Sequence, residues 1–112
     1  MRIVDLLDKR SITLNASPKT KSEAIDMLIE LQVKGGKIAD REKYKKGILA
    51  REEMSSTAVG EGIAIPHAKS DAVKAPSLAA MTVPDGVDYD SMDDEPSNIL
   101  FMIAAPNDGD VH

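Results

Sequence analysis

The first half of the chain places apolar residues at the spacing of amphipathic helices. In the first such stretch the apolar positions are Ala24, Met27, Leu28 and Leu31. This spacing brings them to one side of a helix axis. Thr20 and Glu23 have the Thr-x-x-Glu form of a capping box, and Gly35-Gly36 follows the last apolar turn. The pattern therefore predicts a helix that begins after Thr20 and ends at the glycine pair.

A second helix is predicted from Asp40, which can cap its first turn. Tyr44, Ile48 and Arg51 fall at helical spacing, whereas most other charged residues of the stretch, Glu52 among them, are expected elsewhere around the axis. Arg51 continues the apolar stripe in the last turn, where a cation suits the negative end of the helix dipole. It is therefore either a helix-capping arginine or a side chain that faces a site, and spacing alone leaves both open.

Strand patterns follow in the second half of the chain. The segments that show them are "IAIPH", "SLAAMTV" and "NILFMIAA". Short apolar runs bounded by turn residues are typical of strands in a packed sheet. The first of these predicted strands closes on Pro66 and His67.

Turn chemistry separates the later strands, with Pro84-Asp85-Gly86 and then the acidic stretch "DYDSMDDEP". No repeat or linker divides the chain. We therefore expect a single domain over residues 1–112, of the α/β class, in which a small mixed β-sheet is flanked by helices.

Composition excludes several classes of function. Acidic residues outnumber basic ones 19 to 14, for a net charge of −5, so a phosphate backbone has no cluster of cations to bind and nucleic acid is not an expected partner. The lack of cysteine excludes disulfides, thiolate zinc sites and thiol nucleophiles. Charges interrupt the N-terminal segment and the longest apolar stretch is short, which predicts a cytoplasmic protein without direct membrane insertion.

Two other segments resemble ligand motifs only in part. The acidic stretch from Asp88 to Glu95 offers oxygen ligands for calcium, but it lacks the glycine and the closing glutamate of an EF-hand loop. Gly60-Glu61-Gly62 lacks the third glycine of a dinucleotide fingerprint and follows a loop, where that motif needs a strand. We therefore expect neither a metal nor a cofactor.

His67 is the strongest chemical candidate, because the preceding Pro66 has a fixed φ and limits how the histidine can be aimed. A neutral imidazole can attack through one nitrogen when the other donates its proton to a carbonyl or carboxylate. A phosphoryl electrophile would also need arginine, hydroxyl or backbone N–H groups, and Arg51, Ser56 and Thr57 precede the histidine closely. The alternative is a structural histidine that is hydrogen-bonded at a strand end.

The segment "AREEMSSTAVGEGIAIPHAK" closely resembles the active-site segment of the enzyme IIA components of the sugar phosphotransferase system, of the fructose and mannitol class. The resemblance implies that His67 accepts a phosphoryl group, on Nε2, from the phosphocarrier protein HPr. It then passes the group to a cysteine of the cognate IIB domain, and so to the membrane component IIC. Arg51 would hold phosphoryl oxygens, Thr57 would lie beside the site, and His112 would be the supporting second histidine.

The continuation "NILFMIAAPNDGDVH" resembles a later strand of the family and the approach to its second histidine, so the likeness spans essentially all 112 residues. The family pattern goes on past this point into closing helices that cover the sheet. We therefore expect the family's fold without its C-terminal helical segment, and an EIIA domain that is incomplete at that end.

Together these observations predict a phosphocarrier that drives the uptake and phosphorylation of a sugar, with fructose favoured. The alternative is a regulatory module, similar to the nitrogen-type IIA relatives or the IIA-like domains of transcription regulators, whose phosphorylation controls a binding partner. A third possibility, a structural or metal-binding domain, predicts no modification of His67. The three differ in whether His67 is phosphorylated and whether the phosphate moves on to sugar.

Overall fold

A computed structural model describes residues 6–107, which form two helices and six strands. In chain order the elements are β1 Leu7–Thr13, α1 Lys21–Lys34, α2 Arg41–Met54, β2 Ala58–Gly60, β3 Ile63–Ala64, β4 His67–Ser70, β5 Ser77–Val87 and β6 Ser97–Pro106. The strands join in one mixed sheet, and both helices pack against it. The predicted fold class is confirmed.

Both ends of α1 follow the predicted signals. The Thr20 hydroxyl accepts a hydrogen bond from the Glu23 backbone N–H at 3.1 Å, and the Glu23 carboxylate accepts one from the Lys19 N–H at 2.7 Å. These bonds satisfy donors that have no partner inside the helix. The helix ends at Lys34, immediately before Gly35, and Gly36 then takes a φ of +82°, which favours glycine.

Helix α2 is capped as predicted, since the Asp40 carboxylate accepts from the Lys43 N–H at 3.1 Å. Tyr44 and Ile48 are fully buried against the sheet. Gly47 lies on the same side, where an added Cβ would come within 3.6 Å of the Ala68 Cβ. The helix therefore packs closely over β4, the strand that His67 begins.

The sheet runs in the order β1-β5-β6-β3-β2, and β4 also pairs with β6. Strands β5 and β6 are antiparallel, whereas β3 and β4 both run parallel to β6, along the same edge of it. Strand β3 pairs with Ile99–Leu100 and β4 pairs with residues 103–106. The two short strands therefore act as one interrupted strand beside β6.

The interruption corrects one expectation. The run "IAIPH" does not form a single strand that closes on Pro66 and His67, because β3 ends at Ala64 and His67 is the first residue of β4. Proline has no N–H to donate to a strand partner. The Pro66 carbonyl still accepts from the Ile103 N–H at 2.9 Å, which keeps β4 in register after the break.

The two faces of the central strands differ. On β6, Leu100, Met102 and Ala104 are fully buried under the helices, whereas Ile99 and Ile103 on the opposite face are about two-fifths exposed. The core lies between the helices and this face of the sheet. Within residues 6–107, neither helix is long and apolar enough to cross a membrane.

Candidate functional site

His67 lies at the exposed start of β4, and one of its ring nitrogens is held in place. Its Nδ1 is 2.7 Å from the carbonyl oxygen of Ile65. A carbonyl can only accept, so in the neutral ring Nδ1 carries the proton and donates it to Ile65. The Nε2 lone pair is then available to an incoming group.

The carbonyl that holds the ring is itself fixed by its neighbours. The Ile65 N–H donates to the Thr57 carbonyl at 3.0 Å, and the next residue, Pro66, is buried and accepts from Ile103. The peptide that faces His67 is therefore anchored on both sides. This anchoring limits the directions that the imidazole can take.

The surface beside His67 is apolar. His67 pairs with Ile103, so the two side chains stand on the same side of the sheet, away from the helices. A cavity of about 350 Å³ on this side is lined by Leu6, Ile65, Leu78, Phe101 and Ile103. An exposed imidazole at the border of an apolar surface suits a group that reacts while a partner protein is docked.

Arg51 lies in the last turn of α2, where it caps the helix end. Its Nη1 donates to the Ser55 carbonyl at 2.9 Å. This bond uses one of the several N–H donors of the guanidinium and places the cation against the loop that contains Ser56 and Thr57. The capping alternative is thus present, and it does not exclude a second role for the remaining donors.

The two hydroxyl groups of the loop are engaged inside the protein. The Thr57 side chain is buried and its hydroxyl donates to the Glu52 carboxylate. The Ser56 hydroxyl donates to the Tyr89 carbonyl at 2.6 Å and accepts from the Ala58 N–H at 3.1 Å. Both side chains therefore shape the loop. A contribution of either hydroxyl to phosphoryl binding stays a prediction.

Glu52 was expected away from the buried stripe of α2, and this expectation is wrong. Its side chain is only 6% exposed, and it accepts from the Thr57 N–H at 3.2 Å and from the Tyr89 hydroxyl at 3.0 Å. The sequence held a signal for this placement, because Glu52 follows Tyr44 and Ile48 at steps of four residues. The prediction gave more weight to the charge of glutamate than to this spacing.

Charges around Glu52 favour its ionised form. Burial alone would raise the pKa of this carboxyl, but hydrogen bonds from Thr57 and from Lys21, whose Nζ is 3.0 Å away, bring the pKa below its usual value. Burial, together with the Glu52 charge, raises the pKa of Tyr89, so that its hydroxyl stays protonated and donates. The cluster therefore holds one carboxylate among protonated donors.

The acidic stretch before β6 supports the neighbouring turn between β2 and β3. The Asp93 carboxylate accepts from the Glu61 N–H at 3.0 Å, from the Ser91 hydroxyl at 2.6 Å and from the Glu95 N–H at 3.0 Å. These bonds, the Ser91 bond foremost, lower the pKa of Asp93 to about 2. The Asp93 carboxylate oxygens therefore stabilise the structure of this loop.

The predicted second histidine, His112, lies outside the described residues. The structure does bring Thr57 and His67 into one network, through the two polar groups of Ile65. The hydrogen bond of Arg51 goes to the Ser55 carbonyl, outside that network. The supporting role of His112 stays a prediction.

The chain is similar to proteins of one family along nearly its whole length. A fructose-specific EIIABC component of the phosphotransferase system from Bacillus subtilis is 50% identical over 105 residues, which are 94% of this chain and 16% of that protein. A fructose-specific EIIA component from Haloferax volcanii is 45% identical over 98 residues, 88% of this chain and 64% of that protein. The chain thus spans less than two thirds of the length of either relative.

More distant likenesses extend the comparison. A nitrogen regulatory protein from Pseudomonas aeruginosa is 26% identical over 106 residues, covering 95% of this chain and 69% of that protein. A solved complex of enzyme IIA of the mannitol system with phosphorylated enzyme IIB, from Escherichia coli, superposes with a TM-score of 0.79 at 29% identity. That match covers 95% of this chain and 76% of the solved chain.

The sequence model of one family, described as "Phosphoenolpyruvate-dependent sugar phosphotransferase system, EIIA 2", matches residues 5–112. The match includes the segment that carries Arg51, Thr57 and His67. The chain therefore belongs to the EIIA type-2 family of the phosphoenolpyruvate-dependent sugar phosphotransferase system.

Proposed function

We propose that this chain is a phosphocarrier in which the Nε2 atom of His67 accepts a phosphoryl group and passes it on. The observation that carries the proposal is the exposed ring of His67, whose Nδ1 donates to the Ile65 carbonyl at 2.7 Å. This bond selects the tautomer in which Nε2 holds the lone pair. Residues 1–112 would form a single domain of the EIIA type.

In the first step, the Nε2 lone pair attacks the phosphorus atom of the phosphohistidine on HPr, in line with the bond that breaks. A new N–P bond forms on His67 as the donor's N–P bond opens, and the released electron pair stays on the donor's ring. The Nδ1 proton does not move. Its bond to Ile65 stabilises the positive charge that the ring gains.

In the second step, a cysteine thiolate of the IIB domain attacks the same phosphorus, and the N–P bond on His67 breaks. The electron pair returns to Nε2, which restores the starting ring. Because the group must leave again, the site has to stabilise transfer without holding the phosphorylated state too tightly. An exposed ring at the start of a strand meets that requirement better than a closed pocket.

Arg51 would hold the phosphoryl oxygens during both steps. Its bond to Ser55 fixes one end of the guanidinium against the loop and leaves other N–H donors for the transferring group. Thr57 would act beside the site by shaping that loop, and His112 would serve as a supporting second histidine. The catalytic set proposed is thus His67 and Arg51, with Thr57 and His112 as supporting residues.

Two partner proteins would meet the same surface in turn. HPr would be the donor, and the IIB domain, leading on to the membrane component IIC, would be the acceptor. The exposed ring of His67, at the start of β4, is the group that both partners would have to reach. The solved Escherichia coli complex pairs a similar IIA with phosphorylated IIB, which supports the acceptor. Both partners imply a cytoplasmic site of action.

Fructose is the proposed sugar, since two fructose-specific relatives are 50% and 45% identical to this chain. The regulatory alternative is supported by weaker likeness, as the nitrogen regulatory relative is 26% identical. The two functions share the modified histidine. They differ in whether the phosphoryl group leaves the chain for sugar.

The test is incubation of the chain with radiolabelled phosphoenolpyruvate, enzyme I and HPr, followed by addition of IIB, membranes that contain IIC, and fructose. We expect an acid-labile, base-stable phosphate on the wild-type chain, no label on His67→Ala, and transfer of label to fructose. Label that persists on His67→Ala would overturn the assignment of the acceptor. Label that forms on His67 but does not pass through IIB to sugar would favour the regulatory function instead.

A further inference from the structure

Glu52 collects four hydrogen bonds from three separate parts of the fold. Its carboxylate accepts from the Thr57 N–H, the Thr57 hydroxyl, the Tyr89 hydroxyl and the Lys21 ammonium. Lys21 begins α1, Thr57 lies in the loop after α2, and Tyr89 follows β5. A nearly buried carboxylate is costly unless its oxygens are satisfied, and here they are.

The hydrogen bonds lead from this carboxylate to the ring of His67. Glu52 holds Thr57 through both its N–H and its hydroxyl, and the Thr57 carbonyl accepts from the Ile65 N–H at 3.0 Å. The carbonyl of Ile65 then accepts from His67 Nδ1 at 2.7 Å. Two residues, Thr57 and Ile65, thus separate the carboxylate from the imidazole.

The charge of Glu52 is part of this arrangement. All four groups donate to the carboxylate. A glutamine amide could replace it only with its NH₂ group toward the Thr57 and Tyr89 hydroxyls, which would both have to reverse and accept, and the charge that Lys21 pairs with would still be lost. The Lys21 ammonium lies 3.0 Å from Glu52 and also over the ring of Tyr89, at 4.7 Å. The Lys21 ammonium therefore contacts both the Glu52 carboxylate and the aromatic ring of Tyr89.

We propose that Glu52 is a positioning residue for His67, which fixes Thr57 and, through Ile65, sets the tautomer and direction of the imidazole. This inference rests on the proposed function of His67 as phosphoryl acceptor. Glu52 does not touch the reacting atoms; it acts through the peptide groups between them. Its removal should therefore change the ring of His67 even when no phosphoryl donor is present.

The test compares Glu52→Gln with Glu53→Gln in the full chain. Glu53 is the next residue of α2 and is exposed, so its substitution makes the same change of charge outside the cluster. Nitrogen-15 NMR of the histidine ring reports which nitrogen of His67 carries the proton. We expect the Nδ1-H tautomer in the wild type and in Glu53→Gln, and a mixture of tautomers in Glu52→Gln.

Transfer from phosphorylated HPr supplies the second measurement. We expect kcat to fall about tenfold in Glu52→Gln, with little change in KM. Loss of a group that orients a metal-binding histidine costs about 10- to 100-fold, and the lower end of that range is taken here. Glu53→Gln should match the wild type. A folded Glu52→Gln with wild-type ring shifts and the kcat of Glu53→Gln would overturn the inference.

If Glu52→Gln does not fold, Thr57→Val decides the question. Valine keeps the volume of threonine and the backbone N–H, but removes the hydroxyl that donates to Glu52. We expect a smaller shift of His67 toward the other tautomer, and ring shifts equal to the wild type would overturn the inference. If neither the wild type nor Glu53→Gln is phosphorylated, the proposed function fails, while the ring shifts still decide the role of Glu52.

Discussion

Strand β6 joins two regions that are held together in different ways. On one side, the helix-covered region of α1, β5 and β6 buries apolar side chains such as Leu28, Met81 and Leu100. On the other side, the His67 edge, made of α2, β2, β3, β4 and their connecting residues, has strands of only two to four residues. Helix α2 packs over β4, and the carboxylates of Glu52 and Asp93 fix the loops beside these strands. The difference suggests that folding stability comes from the first region and the geometry of the site from the second.

The division has one polar exception inside the helix-covered region. Gln32, on α1, is fully buried, and its amide donates to the Met102 carbonyl at 2.8 Å and accepts from the Ser77 hydroxyl at 2.7 Å. It links the helix to both central strands. Glu52 makes the corresponding links at the His67 edge, with a charged carboxylate in place of a neutral amide.

The largest expected effect is on stability, from Leu100→Ala. Leu100 is fully buried on β6, and its truncation should lower the free energy of unfolding by about 3–5 kcal/mol through lost burial and the cavity left behind. The matched control is Ile103→Ala on the open face of the same strand, where 41% of the residue is exposed. Urea unfolding measures the free energy of unfolding of both variants. Equal losses would contradict a division between the two faces of the sheet.

The next largest effect is on activity, from Arg51→Ala. Loss of a donor that stabilises transferring charge costs about 2.7–4 kcal/mol, so phosphoryl transfer should slow about a hundredfold or more. Lys46→Ala removes an exposed cation from the same helix and serves as the control. Transfer from phosphorylated HPr and urea unfolding are measured on both variants. An unchanged transfer rate would mean that Arg51 only caps the helix through its bond to Ser55.

A middle-sized effect is expected from Gln32→Leu. Leucine has a volume similar to that of glutamine, but it leaves the Met102 carbonyl and the Ser77 hydroxyl without their partner. This should lower the free energy of unfolding by about 1–3 kcal/mol. Phosphoryl transfer should be unaffected at a temperature where the variant is folded. A double-mutant cycle with Ser77→Ala measures the coupling. No coupling would mean that the amide is held by Met102 alone.

The smallest effect concerns pH and the Asp93 carboxylate at the His67 edge. Its pKa is about 2 in the folded chain against an ordinary 3.8, so ionised Asp93 stabilises the fold above about pH 4, and this contribution is lost as the pH falls toward 2. The stability difference between the wild type and Asp93→Asn should therefore shrink over that interval. Thermal unfolding from pH 5 to pH 2 tests it, with the exposed neighbour Asp94→Asn as control. A constant difference would contradict the assignment.

The sequence predicted those parts of the fold that are decided locally. Both helices begin at their predicted caps, because Thr20 and Asp40 each accept a hydrogen bond from an N–H within the next few residues. Strands β5 and β6 were predicted from apolar runs, but β5 continues to Val87 through residues 84–86, where a turn was predicted. The break at Pro66 was missed, although a proline, which has no N–H for a strand partner, marked its position.

The site was predicted unevenly for the same reason. Pro66 and His67 are adjacent in sequence, so the restraint on the ring could be inferred, but the carbonyl that receives its proton could not. The role of Glu52 depends on Lys21 and Tyr89, which are far away along the chain and meet it only in the folded protein. Its spacing from Ile48 indicated burial, whereas its charge argued against it.

Strand β4 has a further consequence for how molecules of this protein behave in a crowded solution. Within residues 6–107 it pairs with β6 alone, so its other side offers unpaired peptide groups, but only over four residues and with exposed Lys69 among them. Short edges that carry a lysine are poor templates for strand addition. His67 can therefore stay open to encounter at high concentration without β4 itself offering a long bare edge for strand addition.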